Sequence, residues 1–416
     1  MVRYQSALWL IALAIVVVGA ALWLESQKQE GVGGASSTPK SLVTTIKGDP
    51  KTSRAFTWYT KSPDEAAVIQ WIKGSGVNDY SGSGVQTLTG STTTIKTDKK
   101  HTQGVHKVEI TGLEPGTVYS YRVGSGKETG WSEPSSFVTE AEGTSAFSFI
   151  NVTDSQGVTE KDFEIWGRTV DKAFQMFPEA RFIVHNGDLT EDPEDETGWD
   201  HFFGKTKSWL KQIPFMPVTG NHDEMDKNAD RYVAHFNLPV NGAEGSVPGT
   251  NYSYDYGNAH IVVLNTESNI NEQSKWLRDD LAHSDKPWKI VAVHRGAYGG
   301  NSYTKIEKWT ALFDEYKVDL VLQGHNHEYS RSYPLRNGKV AGSGDGPVVN
   351  HEGTVYVVTN ASGAKFNEKK KDQFYHKVHF QNEKPMFAGI TINGNSLTYQ
   401  AYDVEGKKWD EFVIQH

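Results

Sequence analysis

At 416 residues the chain is too long for one ordinary domain, so we expect at least two. Its content of 12% aromatic and 22% charged residues is typical of a globular protein and excludes a disordered or collagen-like class. The net charge of -9 argues against a broad surface for nucleic acid, and the lack of Cys excludes disulfides and thiolate metal ligands.

The N-terminus carries an unbroken apolar run, Ala7–Leu24. As a helix this run would be about 27 Å long, enough to cross the apolar core of a bilayer. Arg3 precedes it, which favours a cytoplasmic location for residues 1–6 and export of the rest. We therefore expect a signal anchor at residues 7–24 and a single-pass protein of the cell membrane, with the remaining residues on the extracytoplasmic side. Gly19–Ala21 leave a cleaved signal peptide, and hence a secreted protein, as the alternative.

Residues 25–40 and 41–142 differ sharply in pattern. The first segment is polar and rich in Gly and Ser, which predicts a flexible tether. The second contains short alternating segments, such as Arg54–Thr60 and Val118–Val123, separated by turn-forming residues. This spacing predicts an all-β sandwich.

Residues 143–416 follow a different plan, in which short apolar runs alternate with helical patterns. Phe163, Trp166, Val170 and Phe174 recur at steps of three and four and so form one apolar helix face. Alternating strands and helices predict a layered α/β domain, and the strand-rich segment after Gly353 predicts a second sheet beside the first. The predicted strands are 147–152, 181–185, 215–218, 260–266, 289–293, 318–322, 354–359, 387–392 and 397–402.

Side chains that commonly bind metals follow five of these strands. In α/β sheets such groups collect just beyond the carboxyl ends of strands, where the loops converge. Two carboxylates can hold two cations close together, and imidazole and amide groups complete the coordination without adding charge. Glycines at 187, 220 and 324 precede three of these side chains and would let the backbone approach closely. The sequence therefore predicts a two-metal site formed by Asp154, Asp188, Asn221, His294, His325 and His327.

The motifs that contain these residues resemble the five-block signature of the calcineurin-like metallophosphoesterases, and within them the purple acid phosphatase group. They are Asp154, Gly187-Asp188, Gly220-Asn221-His222-Asp223, Val291-Ala292-Val293-His294 and Gly324-His325-Asn326-His327, with Tyr329–Pro334 after them. The segment Leu113–Tyr121, with Trp58 and a Tyr119 in a tyrosine-corner position, is similar to a fibronectin type III domain.

This resemblance implies a fibronectin III-like domain at residues 41–142 and a four-layer αββα catalytic domain at residues 143–416. It implies that Asp188 bridges the two metals, that Asp154 and His327 bind metal one, and that the remaining three ligands bind metal two. It also implies that His222 contacts the phosphate and protonates the leaving oxygen, with Asp223 orienting its ring.

Two positions depart from the purple acid phosphatase pattern. Glu191 replaces the Tyr that binds ferric iron, and Gln156 replaces a Gly that is a His in many other metallophosphoesterases. Glu191, Gln156 or water are the alternatives for the ligand that metal one then lacks. The predicted cofactors are two divalent or trivalent ions, with iron, zinc and manganese as the alternatives.

The expected reaction is hydrolysis of a phosphate monoester, by in-line attack of a hydroxide that the metals activate. The first alternative is a phosphodiesterase, a choice that the loop Ala297–Tyr303 would shape. The second is a cell-surface binding protein with a degenerate hydrolase domain. Arg295 and Arg331 are further candidates for phosphate contacts.

Overall fold

The computed structural model describes residues 38–97, 101–128, 130–225 and 227–416. The predicted anchor at residues 7–24, and the predicted tether up to residue 37, lie outside the described residues. Within the described ranges, no helix is both long enough and apolar enough to cross a membrane. Anchoring through the N-terminus therefore stays a prediction.

The first eight strands form the predicted β sandwich. One sheet has the order β1-β2-β6-β5 and the other β4-β3-β7-β8. Trp58 is fully buried between them, and the Tyr119 hydroxyl accepts a hydrogen bond from the amide of Glu114 at 2.9 Å, as expected for a tyrosine corner. The strands are β1 (Lys40–Thr45), β2 (Arg54–Thr60), β3 (Val68–Lys73), β4 (Gln86–Thr89), β5 (Ser91–Lys96), β6 (Thr102–Ile110), β7 (Val118–Gly124) and β8 (Ser135–Val138).

Two seven-stranded sheets form the centre of the second domain. They comprise β9 (Ala146–Val152), β10 (Ala180–His185), β11 (Phe215–Pro217), β12 (Tyr252–Tyr256), β13 (Ala259–Leu264), β14 (Trp288–Arg295), β15 (Leu320–Gly324), β16 (Tyr329–Ser332), β19 (Val348–Val349), β20 (Val355–Val358), β21 (His376–Phe380), β22 (Met386–Asn393), β23 (Ser396–Asp403) and β24 (Lys408–Gln415). A small hairpin of β17 (Leu335–Arg336) and β18 (Lys339–Val340) stands apart from both sheets.

The first sheet has the order β11-β10-β9-β22-β23-β24-β19, and the second β12-β13-β14-β15-β20-β16-β21. Strands β9 to β11 run parallel to one another, as do β13, β14, β15 and β20. In each sheet, therefore, several carboxyl ends lie along one edge.

Within the described residues, five α-helices accompany these sheets: α1 (Glu160–Met176), α2 (Glu196–Leu210), α3 (Asp230–His235), α4 (Ile270–His283) and α5 (Glu307–Glu315), the last preceded by a 3-10 turn at Thr304–Ile306. Helix α1 begins at a capping box in which Thr159 and Asp162 satisfy each other's backbone amides. It buries the predicted face of Phe163, Trp166 and Val170 in the core that also holds the first sheet.

Helices α4 and α5 pack on the second sheet, where Leu277 and Trp309 join a separate apolar cluster with Val291. The larger core lies between the two sheets and beneath α1 and α2. The predicted αββα layering is confirmed.

Candidate functional site

All six predicted metal ligands converge where the carboxyl ends of the two sheets meet. Their carboxylate and imidazole donors form two groups, each with all its donor atoms within 4.8 Å of one another. One group contains Asp154, Asp188 and His327, and the other contains Asp188, His294 and His325. Because Asp188 belongs to both, a carboxylate stands where a bridging ligand would be needed.

The first group is almost completely buried. The Oδ1 atom of Asp154 lies 3.1 Å from Nε2 of His327. The amide of Gln156 lies between them and the shared carboxylate, with its Nε2 at 3.3 Å from Nε2 of His327 and 3.4 Å from Oδ2 of Asp188. Gln156 is thus placed against the first group and is itself only 2% exposed.

The second group is built around His294. Its Nε2 atom is 3.2 Å from Oδ2 of Asp188 and 3.1 Å from Oδ1 of Asn221. His325 has a different neighbour, since its Nε2 atom lies 2.8 Å from Nη1 of Arg295. Arginine can only donate, so this His325 nitrogen accepts a hydrogen bond in the present geometry.

Main-chain carbonyls fix the orientation of two imidazoles. Nδ1 of His294 is 2.8 Å from the carbonyl oxygen of Asn186, and Nδ1 of His327 is 2.7 Å from that of Lys365. A carbonyl oxygen only accepts, so each Nδ1 carries the hydrogen. Each Nε2 therefore faces the site and could bind a metal ion in place of a proton.

Four of the six predicted ligands have an unusual backbone conformation. Asp154, Asp188, His325 and His327 have φ values of 51°, 56°, 73° and 52°. Non-glycine residues in this left-handed region cost roughly 1 to 2 kcal/mol each, and such strain is concentrated at functional sites. The fold thus holds four residues that carry potential metal ligands in unfavourable backbone conformations.

Close packing of the loops explains two of the glycines. A Cβ atom on Gly220 would lie 2.2 Å from Oδ1 of Asp188, and one on Gly324 would lie 2.2 Å from Oγ1 of Thr153. The latter hydroxyl donates to Asp154 at 2.6 Å. Any side chain at these glycines would therefore displace the carboxylates or their partners.

The electrostatics of the site are dominated by burial and by pairing of opposite charges. Burial disfavours ionisation of Asp188, but the charge and the hydrogen bond of His294 outweigh the effect of burial and lower the Asp188 pKa. Burial disfavours protonation of His294, but Asp188 outweighs it and raises the His294 pKa to about 10. Burial, followed by the charges of His294 and Arg295, lowers the His325 pKa to about 4. A cation placed between Asp188 and His294 would take the place of the proton that this pair shares.

A buried side-chain oxygen that lacks a hydrogen-bond partner indicates whether the residues of this site fit a metal ion. Oε1 of Gln156 is buried and has no hydrogen-bond partner among the described residues. The oxygen and nitrogen of a glutamine amide are assigned from their neighbours, and rotating this amide by 180° would direct its oxygen at Asp188 and His327. The donor set and this unsatisfied oxygen both fit a bound cation.

The other candidate for the missing ligand, Glu191, points elsewhere. Its carboxylate is 3.3 Å from Nζ of Lys365, and its side chain is 35% exposed. It belongs to none of the groups of potential metal ligands found in the described residues.

Asp223, which the resemblance implies orients the ring of His222, has main-chain partners in the structure. Asp223 accepts from the amides of Asp188, Leu189 and Gly220, at 2.7, 3.0 and 2.8 Å. Burial, followed by the charge of Asp188, raises its pKa to about 7. Asp223 therefore joins the two loops that carry Asp188 and Asn221.

The ring of His222 is held by the main chain. Its Nδ1 atom lies 2.8 Å from the carbonyl oxygen of Glu191, and its amide donates to Oδ1 of Asp188 at 2.9 Å. Nδ1 therefore carries a hydrogen, and Nε2 is the nitrogen that can act on a substrate.

The two candidate arginines also have protein partners. Arg331 is 7% exposed and pairs with Asp410 at 2.7 and 3.1 Å, which makes it a buried structural residue and not a phosphate contact. Arg295 is held by Glu267 at 2.9 and 3.1 Å but borders the second metal group.

The groups that orient the metal-binding side chains were not predicted from the sequence. They are the carbonyls of Asn186 and Lys365 and the Thr153 hydroxyl. Asn186 and Thr153 are next to motif residues, so their position was a usable signal. Lys365 is far along the chain in a loop with no recognisable pattern, and nothing in the sequence marks it.

Comparisons with known proteins match both parts of the chain to known families. Residues 39–139 match the family described as purple acid phosphatase, N-terminal domain, and residues 149–329 match calcineurin-like phosphoesterase. The chain is 27% identical to human acid phosphatase type 7 over 372 residues, which is 80% of each protein. It is 28% identical to purple acid phosphatase 15 of Arabidopsis thaliana over 275 residues, or 57% of this chain and 51% of that protein.

The fold is also that of a solved structure. Purple acid phosphatase PPD1 from yellow lupin seeds superposes with a TM-score of 0.79 at 19% identity, over 91% of this chain and 74% of the lupin chain. The chain thus contains the N-terminal domain of the purple acid phosphatases and a calcineurin-like phosphoesterase domain, and it is a phosphoric ester hydrolase.

Proposed function

We propose that the chain hydrolyses phosphate monoesters at a centre that binds two metal ions. The observation that carries this proposal is the pair of donor groups that share Asp188. Asp154, His327 and Gln156 would hold metal one, and Asn221, His294 and His325 would hold metal two. Bound ions would supply the Lewis acidity that makes a water nucleophilic and that offsets charge on the phosphoryl oxygens.

Gln156 is the proposed replacement for the ligands that metal one lacks relative to the family pattern. Its buried oxygen has no partner, whereas Glu191 has one in Lys365. A neutral amide in place of a phenolate removes the chromophore of a coloured phosphatase and leaves zinc, manganese and iron as candidate ions.

His222 is proposed as the general acid. With Nδ1 bonded to the Glu191 carbonyl, Nε2 can deliver a proton to the leaving oxygen. Asp223 is a positioning residue, because it bonds to loop amides beside the reacting groups.

Arg295 must release His325 when metal two binds. The hydrogen bond from Nη1 of Arg295 requires a free lone pair on Nε2 of His325. A metal bound through Nε2 would use that lone pair, and a metal bound through Nδ1 would leave the ring hydrogen on Nε2. Glu267 keeps the guanidinium at the border of the site after this release, where it could meet a phosphate oxygen.

The direct test is hydrolysis by the purified full-length chain and by its Asp188→Asn variant. We expect p-nitrophenyl phosphate to be cleaved in preference to its bis ester. The variant should lose more than about 100-fold of the activity, since partners one step removed from a metal are already worth 10- to 100-fold.

The matched control is Asp200→Asn on helix α2, where the carboxylate pairs with Lys40 at 2.7 Å on the surface. It should retain activity. Undiminished hydrolysis by Asp188→Asn would contradict the two-metal proposal, and preference for the bis ester would favour a phosphodiesterase.

A further inference from the structure

A further cluster of potential metal ligands lies at the opposite end of strand β15 from the catalytic site. Asp319 directly precedes this strand and His325 directly follows it, so the two ends are separated by about 20 Å at roughly 3.3 Å per residue. Asp319, His351 and His416 each place one potential ligand atom within 4.8 Å of the other two.

The contacts of this cluster centre on one oxygen. Oδ1 of Asp319 is 2.8 Å from Nε2 of His416 and 3.2 Å from Nδ1 of His351. The other oxygen accepts from the amide of Lys289 at 2.9 Å. Both imidazoles thus direct a nitrogen at the same carboxylate oxygen.

The burial of Asp319 creates a need for positive charge. Its side chain is 1% exposed, and its ion-pair partners within the described residues are these two histidines. A buried carboxylate without a compensating charge is costly, and a neutral imidazole supplies none. A divalent cation bound among the three side chains would supply it.

The two imidazoles are fixed by the surrounding structure. His416 stacks on the buried Trp288 with ring centroids 4.0 Å apart, and the two histidine rings are 4.2 Å apart. His351 and the preceding Asn350 have φ values of 55° and 50°, a strained turn that also distinguishes the catalytic donors. The His351 and His416 side chains are 27% and 13% exposed, which leaves access for water ligands.

We propose that Asp319, His351 and His416 form a third cation site, separate from the catalytic centre. Two imidazole nitrogens and one carboxylate oxygen suit a divalent transition metal such as Zn²⁺, with water completing the coordination. Its role is structural. His416 follows β24 of the first sheet and Asp319 precedes β15 of the second, so one ion would link the two sheets far from the reaction.

The experiment measures the number of Zn²⁺ ions bound per full-length chain, for the unaltered protein and for His351→Gln and His416→Gln. Each variant should bind one ion fewer, retain its hydrolytic activity, and lose the part of the Zn²⁺-induced rise in melting temperature that this site provides. The matched control is His283→Gln at the end of α4, where the ring bonds only to the carbonyl of Asp279 at 2.6 Å. It should bind as many ions as the unaltered chain.

Equal Zn²⁺ content in all four proteins would overturn the proposal, and so would loss of catalytic activity together with the ion. If the variants fail to fold, crystals of the unaltered chain grown with Zn²⁺ decide the matter by anomalous scattering. A peak at about 2.0 to 2.2 Å from the three donor atoms supports the site, and no peak there overturns it.

Discussion

At the scale of single residues, the proposed site for metal one depends on the amide of Gln156. Replacing Gln156 by Leu keeps the approximate volume but removes the oxygen donor, so the affinity for one of the two ions should fall by at least about 10-fold. Metal content after dialysis against a graded chelator series measures this directly. Gln156→Glu should retain the ion, because a carboxylate oxygen replaces the amide oxygen.

Glu191→Gln is the control that separates the two candidate ligands. The Glu191 carboxylate pairs with Lys365 and is partly exposed, so its loss should leave both ions in place. If Glu191→Gln released an ion and Gln156→Leu did not, the assignment of Gln156 would be reversed.

The proposed role of His222 as general acid predicts a dependence on the leaving group. His222→Asn should lower kcat by about 10²- to 10⁴-fold for an alkyl phosphate, whose leaving oxygen needs a proton. The loss should be much smaller for p-nitrophenyl phosphate, because p-nitrophenolate leaves without protonation. Steady-state rates on the two substrates, at equal metal content, give the comparison. An equal loss on both would indicate that His222 only binds phosphate.

The convergence of the six candidate ligands could be predicted from the sequence because each lies at or just beyond the carboxyl end of a strand. The partners of the nearby polar residues could not, because they come from distant segments. Arg331 pairs with Asp410, and His327 bonds to the carbonyl of Lys365. The amide partners of Asp223 could not be predicted either, because adjacency to His222 in sequence does not determine which groups its carboxylate meets.

At the scale of elements, the site depends on the close approach of the loops after β10 and β11. Gly220→Ala would place a Cβ atom 2.2 Å from Oδ1 and 2.4 Å from the amide nitrogen of Asp188. The loops must separate, which should destabilise the fold by about 1 to 3 kcal/mol and weaken metal binding. Chemical denaturation with and without metal measures both effects.

Gly204→Ala is the opposite case, since it lies in the middle of α2 with no atom within 4 Å of the added methyl group. It should stabilise the helix by about 0.5 to 1 kcal/mol. Similar behaviour of the two variants would mean that the loops at Gly220 can relax without affecting Asp188.

Nine strands of the second domain could be predicted from their apolar runs, and each is present within about two residues of its predicted bounds. Helices α2 and α4 were not predicted individually. The apolar face of α4 is limited to a few residues, Leu277 and Leu281 among them, so its periodicity in the sequence is weak.

At the scale of the whole molecule, the sequence predicted two sheets but not how the chain divides between them. Strand β9 pairs with β22, which lies some 240 residues later, so the first sheet is completed only by the C-terminal segment. Long-range pairing of this kind leaves no local periodicity that a sequence could reveal.

The contact between the two domains contains a carboxyl group with an altered pKa. Glu140 accepts a hydrogen bond from the amide of Gly257 at 2.8 Å and lines a cavity of about 410 Å³, together with Asp49, Lys51 and Lys286. Burial is the main reason that its pKa rises from 4.5 to about 7, and the two lysines only partly oppose it.

This shift predicts how stability depends on pH. A carboxyl group whose pKa rises on folding binds its proton more tightly in the folded state, so its contribution to stability is complete below pH 4.5 and is lost as the pH rises through 7.

Glu140→Gln keeps an acceptor for Gly257 but cannot ionise. Relative to the unaltered chain, the variant should therefore gain about 1 to 2 kcal/mol between pH 5 and pH 8, a range that allows for screening by water in the cavity. Thermal unfolding at both pH values measures the difference, with the exposed Glu142→Gln as the control. A difference that is constant with pH would mean that Glu140 is already ionised at pH 5 in the folded protein, and that the domain interface tolerates its charge.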